Sequence, residues 1–202
     1  MKFQTWLKPG VLSALIMIAT GCGSLFESRS FINPNADFSF YSRVGLMPFN
    51  NLSDDRLAGE KMTEVFMTEL LIGGGLDVMD PGQFNSVVAQ VLKTNAPVAG
   101  QELSPAQLTQ IAELAKVQGI FMGTIHDYKM LPIGGDQYPL ITMTVKFIDA
   151  PTGTVAWQNS TTATGGPNFP IVSIGETFTL GAMSQKVSRK VVKNFYKETV
   201  AK

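Results

Sequence analysis

The residues whose chemistry could define a function are few and poorly placed for catalysis. The 202-residue chain has one histidine and one cysteine, a thin supply of soft metal ligands. His126 is followed by Asp127, but neighbours on a strand point to opposite faces, so they cannot by themselves form an orienting pair. A lone strand histidine of this kind reads as a hydrogen-bonded or exposed side chain. Asp54, Asp55, Glu60, Glu64 and Glu69 form a carboxylate group. A metal or acid/base role is one reading; a capped helix with a solvated outer face fits the spacing better. The glycine runs Gly73–Gly75, Gly134-Gly135 and Gly165-Gly166 lack the Lys-Ser/Thr and the spacing of phosphate-binding loops, so turn chemistry explains them. The expectation is therefore no catalytic residue, no metal and no bound cofactor: not an enzyme. A hydrolase would have to depend on His126 or on one of these carboxylates.

Composition narrows the remaining classes. The chain is 45% hydrophobic and 16% charged, with 16 basic and 16 acidic residues. A formal charge of zero argues against a nucleic-acid partner, which normally demands a Lys/Arg excess. The apolar fraction is too high for a disordered chain.

Met1 to Gly21 has the pattern of an export segment. Lys2 and Lys8 give it a basic start, and the apolar core Val11–Ala19 is too short to span a bilayer. Spanning takes about 20 residues, whereas a cleavable signal needs about 7–15. The core ends in Ile18-Ala19-Thr20-Gly21-Cys22, which resembles the lipobox of bacterial lipoproteins, with Ala19 where Leu is most frequent. From the residues alone, an ordinary signal cut nearby and a buried structural cysteine are the other readings. The resemblance implies cleavage before Cys22, which then carries a thioether-linked diacylglycerol and an N-acyl (palmitate-type) chain. Gly23, where Asp would act as a retention signal, implies sorting to the outer membrane. Losing 21 residues with Lys2 and Lys8 leaves 181, with 14 basic and 16 acidic groups and a formal side-chain charge of about −2.

Three regions follow: a signal peptide at 1–21, a lipidated N-terminus and Ser/Asn/Gly-rich tether at 22–37, and one folded domain at 38–202. In the domain, Arg43–Phe49 reads as a buried strand. Leu57–Ile72 has helical spacing, capped by Asp54 or Asp55 and ended by Gly73–Gly75. Leu76–Asp80 is a short strand, and Pro81 opens a helix to about Leu92. Ser104-Pro105-Ala106-Gln107 is a capping box with proline at the first helical position, and Gly119 is expected to end that helix. The period then changes to two through Ile120–Met130, Leu140–Asp149 and Thr154–Thr164, the last two joined by a turn at Pro151–Gly153. A helix from about Glu176 to Lys197 closes the chain, burying Leu180, Met183, Val187, Val191 and Phe195. The fold class expected is α/β (α+β), a mixed sheet of about five strands with helices packed on it, in the order β-α-β-α-α-β-β-β-α.

Arg43-Val-Gly-Leu-Met-Pro-Phe-Asn-Asn-Leu-Ser-Asp54, Leu76–Asp80, Ile111–Thr124 and Phe147–Trp157 are together similar to the CsgG-type curli-secretion lipoproteins. The same pattern is shared by PelC-type polysaccharide-export lipoproteins, LpoB-type activators of penicillin-binding proteins and the N-terminal domain of TolB. The curli member needs two long membrane-spanning hairpins. The matching connections here, Leu131–Tyr138 and Gly165–Val172, are too short for strands of about 9–11 residues. The likeness is thus to the compact relatives, without a transmembrane barrel.

The resemblance implies a periplasmic lipoprotein held by Cys22 at the inner leaflet of the outer membrane. It would be a structural, homo-oligomeric component of a cell-envelope export or assembly system, curli-like or exopolysaccharide, with other envelope-machinery proteins as partners. The alternative is a regulatory module for a peptidoglycan synthase, as in LpoB. Two surface features remain open. Lys186, Arg189, Lys190, Lys193 and Lys197 form a basic face on the last helix, either solvated or against anionic headgroups or an acidic subunit. Phe38, Phe40 and Tyr41 form an aromatic cluster that packs on the domain's edge or meets a partner.

Overall fold

The computed structural model describes residues 26–95, 98–166 and 176–199; Cys22 and the export segment lie outside them. The strands are β1 (Phe26–Ile32), β2 (Arg43–Leu46), β3 (Asn50–Asn51), β4 (Asp77–Val78), β5 (Gly119–Ile133), β6 (Asp136–Asp149) and β7 (Thr154–Thr164). The helices are α1 (Ala58–Gly73), α2 (Pro81–Leu92), α3 (Pro105–Ala115) and α4 (Leu180–Thr199). The strands form one mixed sheet in the order β1-β7-β6-β5-β2-β4, with β3 also pairing to β5. β1, β7, β6 and β5 are antiparallel neighbours, while β2, β3 and β4 join in parallel. The α/β class holds, with seven strands rather than about five.

The two additional strands have separate causes. Pro48 has no N–H to give the sheet, and the Phe49 N–H bonds the Thr63 hydroxyl at 2.9 Å, so the expected strand 43–49 stops at Leu46 and pairing resumes beyond it at β3. β1 occupies residues expected to form a tether. It pairs along its whole length with β7, from Phe26 opposite Ala163 to Ile32 opposite Trp157. Polar side chains fix that register: the Asn159 amide donates to the Ser28 and Ser30 hydroxyls at 2.9 and 3.0 Å.

The buried apolar strand residues divide between two cores. Phe121, Ile125, Val145, Phe147 and Trp157 meet α1 and α4 through Met62, Phe66, Val187, Val191 and Phe195. On the opposite face, Met47, Ile120 and Ile148 meet α2 and α3 through Phe84, Val88, Leu108 and Ile111.

The helix boundaries follow local bonding. Ser104 caps α3 by the reciprocal capping box with Gln107. That helix ends at Lys116 in left-handed geometry, not at Gly119, because the Lys116 N–H closes on the Ala112 carbonyl. Gly119 instead opens β5, where a Cβ would come within 2.1 Å of the Phe147 ring. The Thr179 hydroxyl accepts the Ala182 N–H, so α4 starts at Leu180 rather than Glu176. α1 begins after Leu57, which makes no side-chain cap; Asp55 accepts the Leu57 N–H, and Asp54 plays no cap role.

Candidate functional site

Several titratable residues are committed to local partners. His126 sits where the β5–β6 register shifts between Ile125 and Asp127; its Nε2 lies 3.1 Å from Thr144 Oγ1 and its side chain is exposed. Asp127 pairs with Lys129 at 2.6 Å, and that bond holds its carboxyl below the ordinary carboxylate range. The register shift at His126 interrupts the alternation that would place the two on opposite faces, and the imidazole lies near enough to add to the lowering of Asp127. Asp55 is likewise committed, bonding Lys61 at 2.9 Å and the Leu57 N–H, which lowers its carboxyl. Among the described residues no three His, Cys, Asp or Glu side chains gather around a possible metal position.

Glu69 departs from the expected solvated face. It is 6% exposed, and the Arg189 guanidinium of α4 donates to both its carboxylate oxygens at 3.2 and 3.3 Å. The spacing of α1 put Glu69 beside its apolar stripe, and α4 closes over it. Arg189→Met is expected to lower the unfolding free energy by about 2 kcal/mol, because it strands a buried carboxylate while the lost partner was itself half-exposed. Glu69→Leu with Arg189→Met should recover most of that in urea unfolding. Equal losses in the single and double variants would rule the pair out as the cause.

The basic face of α4 is thereby divided. Arg189 turns to Glu69, Lys186 donates to the Thr177 hydroxyl, and the Lys190 ammonium lies 5.0 Å from the Phe26 ring centroid. Lys193 and Lys197 are exposed. The aromatic cluster divides too. Phe38 and Tyr41 pack inward against Phe195 and Phe147, with ring centroids 6.3 and 4.8 Å apart, while Phe40 remains 53% exposed. Burial, and then the nearby Asp149 carboxylate that accepts its proton at 3.1 Å, raise the Tyr41 hydroxyl well above the ordinary phenol range.

Two concavities flank the sheet. One of about 230 Å³ lies over the β2–β5 junction, lined by polar Asn50, Gln101, Thr124, Thr144 and Lys146. The other, about 600 Å³, opens between Gly73–Leu76 and Phe38, Tyr41 and Tyr196. Neither gathers a nucleophile, a base and an orienting partner.

The end of the sheet carrying the β5–β6 hairpin differs from the rest. Gly134, in left-handed geometry, and Gly135 make its tight turn. Beside them Ile133 is 42% exposed, and Phe178, 55% exposed, stacks on Tyr138 with ring centroids 5.5 Å apart. Sequence reading singled out neither residue. The signal available was an apolar residue next to a glycine turn, which surface loops also show.

These elements define a mixed α/β domain with two helices on each face of a seven-stranded sheet, one edge closed by an N-terminal strand. The same fold occurs in a PelC dodecamer from Paraburkholderia phytofirmans, at a TM-score of 0.55 and 18% identity over 83% of this chain and 94% of that one. It occurs also in lipoprotein GNA1162 from Neisseria meningitidis (TM-score 0.53, 14% identity, 75% of this chain and 99% of that one). A third example is the hypothetical protein CT253 from Chlamydia trachomatis (TM-score 0.55, 16% identity, 80% and 99%). No protein-family model and no curated protein matches by sequence. The likeness is one of fold. No helix among the described residues is long and apolar enough to cross a membrane.

Proposed function

We propose that the chain is an outer-membrane-anchored periplasmic lipoprotein acting as a structural, oligomeric component of a cell-envelope export or assembly system. In this reading Cys22 carries the lipid, the α/β domain makes the protein contacts, and no step of catalysis is performed. The observation that supports it most is the fold shared with the subunit of a PelC dodecamer over 83% of this chain and 94% of that one. The lipobox-like segment ending at Cys22 supports the anchor independently. Mass measurement of the detergent-solubilised full-length protein tests the assembly: a discrete particle several times the 21.9 kDa chain is expected. A strict monomer across a range of protein concentrations would remove this reading.

A further inference from the structure

The start of β1 fixes how far the folded domain can stand from a lipid on Cys22. Only Gly23, Ser24 and Leu25 separate that cysteine from Phe26, the first residue of β1. Four Cα-to-Cα steps reach at most about 14 Å even when fully extended. A tether of 16 residues, as expected from sequence, would have allowed about 50 Å or more.

The end of the sheet from which this short connection departs is also fixed. Phe26 pairs with Ala163, Ala163 with Ile141, and Ile141 with Tyr128. From the Tyr128–Ile141 level the β5–β6 hairpin continues through five further pairs to Ile133–Asp136. At about 3.4 Å per residue the hairpin tip projects about 17 Å beyond Phe26, in the direction from which the chain arrives. The sheet's twist of about 20–25° per strand turns part of that length aside, so the tip's projection is comparable with the greatest reach of the anchor.

The side chains at this end suit a phospholipid interface. Ile133 at the tip and Phe178 against Tyr138 are large, apolar and exposed. Lys186 and Lys190 lie behind them at the level of Thr177 and Phe26, and Lys129 lies just past that level. The acids among the described residues there are Asp136 at the turn, Glu176 beside the Tyr138 hydroxyl, Asp127 paired with Lys129, Asp54 near Lys129, Asp55 paired with Lys61 over the Tyr128 ring, and Glu27 beside Phe26. The acids outnumber the lysines, so apolar insertion must carry the contact without net electrostatic attraction.

We infer that the β5–β6 hairpin end, with Ile133 and Phe178, seats directly on the phospholipid headgroups of the leaflet that holds the Cys22 lipid. This rests on the lipoprotein reading. The domain stands on the bilayer with β5 roughly upright, and the opposite end, where α3 leads into β5, points away. Residues 119 and 133 are about 48 Å apart along the strand, so Leu114, exposed near its start, serves as a far-end reference.

The test uses full-length lipidated protein in vesicles of phosphatidylethanolamine and phosphatidylglycerol, some lipids carrying a nitroxide near the headgroup. A fluorophore is placed in turn at Ile133→Cys, Phe178→Cys and Leu114→Cys, all exposed positions that tolerate labelling. Quenching at the first two is expected to exceed that at Leu114 by about threefold or more. Quenching at Leu114 equal to or above the others overturns the orientation. Intact-protein mass reports the anchor separately: absence of lipid mass on Cys22 removes the lipoprotein reading and this seating with it. Lipid present but Ile133 and Phe178 unquenched removes the seating alone. An insertion of about 12 Gly and Ser residues between Leu25 and Phe26, with a root-mean-square reach of about 20 Å, should reduce quenching while vesicle association persists. Unchanged quenching in that variant overturns the short connection as its cause.

Discussion

Phe195→Ala is expected to lower the unfolding free energy by about 4 kcal/mol, the largest loss of any single truncation in the α4 layer. Phe195 is 3% exposed, and its ring meets Phe121, Phe147 and Trp157 at centroid distances of 5.0, 5.2 and 5.2 Å, with Tyr196 at 5.5 Å. Three of these rings come from the sheet, so they cannot follow a shrinking side chain without moving strands that are bonded on both sides. The cavity therefore stays open, and the edge-to-face contacts are lost in addition to the transfer free energy. For a domain of this size the midpoint of thermal unfolding should fall by about 10 °C. Phe195→Leu, which keeps most of the volume, should cost less than half as much. Equal shifts for Ala and Leu would show that ring packing is not what holds α4 to the sheet.

Cys22→Ala is expected to release the protein from membranes into the soluble fraction and to abolish incorporation of labelled fatty acid. The effect should be close to all-or-none. Each buried methylene contributes roughly 0.8 kcal/mol, so several acyl chains hold a protein far more firmly than a single chain, whose attachment is reversible. Once they are gone, the contact available to the domain is the apolar pair Ile133 and Phe178, too little surface for stable attachment. Fractionation with and without a high-salt wash measures this. Membrane association that survives the substitution and the wash would exclude Cys22 as the anchor.

The parts of the fold readable in the sequence are those decided within a few residues. The Ser104–Gln107 box and Pro81 set helix starts by bonds that close inside one turn. The boundaries of β7, Thr154 and Thr164, follow from a period of two bounded by the Pro151–Gly153 turn and Gly165-Gly166. β1 was not readable, because its short Ser-rich run gains order only from a strand about 130 positions away, through bonds such as Ser28 to Thr161 at 3.0 Å. Glu69 was misplaced for the same reason: its burial depends on Arg189, 120 positions later. Gly119 shows a subtler limit. A glycine after a helix suggests a stop, but here the Phe147 ring excludes a side chain, and a lysine takes the left-handed position. For the candidate site, the exposed apolar end of the β5–β6 hairpin was not legible. Strict alternation at His126 and Asp127 was expected, but the β5–β6 register shifts there. Ile133 and Phe178 come together only once the hairpin has placed Tyr138 beneath the ring of Phe178.

The β1–β7 ladder has a mechanical consequence. Tension in the chain preceding Phe26 is drawn along the axis of β1, whose ladder bonds to β7 run across that axis. All seven residue pairs then bear the load together in shear, rather than parting one at a time as in peeling. A domain pulled through that chain would resist extraction with the whole strand at once. Were β1 to let go, the Ser28 and Ser30 bonds to Asn159 would go with it, exposing the outer side of β7. Force-induced detachment would thus be abrupt, and would leave a bare strand edge ready to pair with another chain.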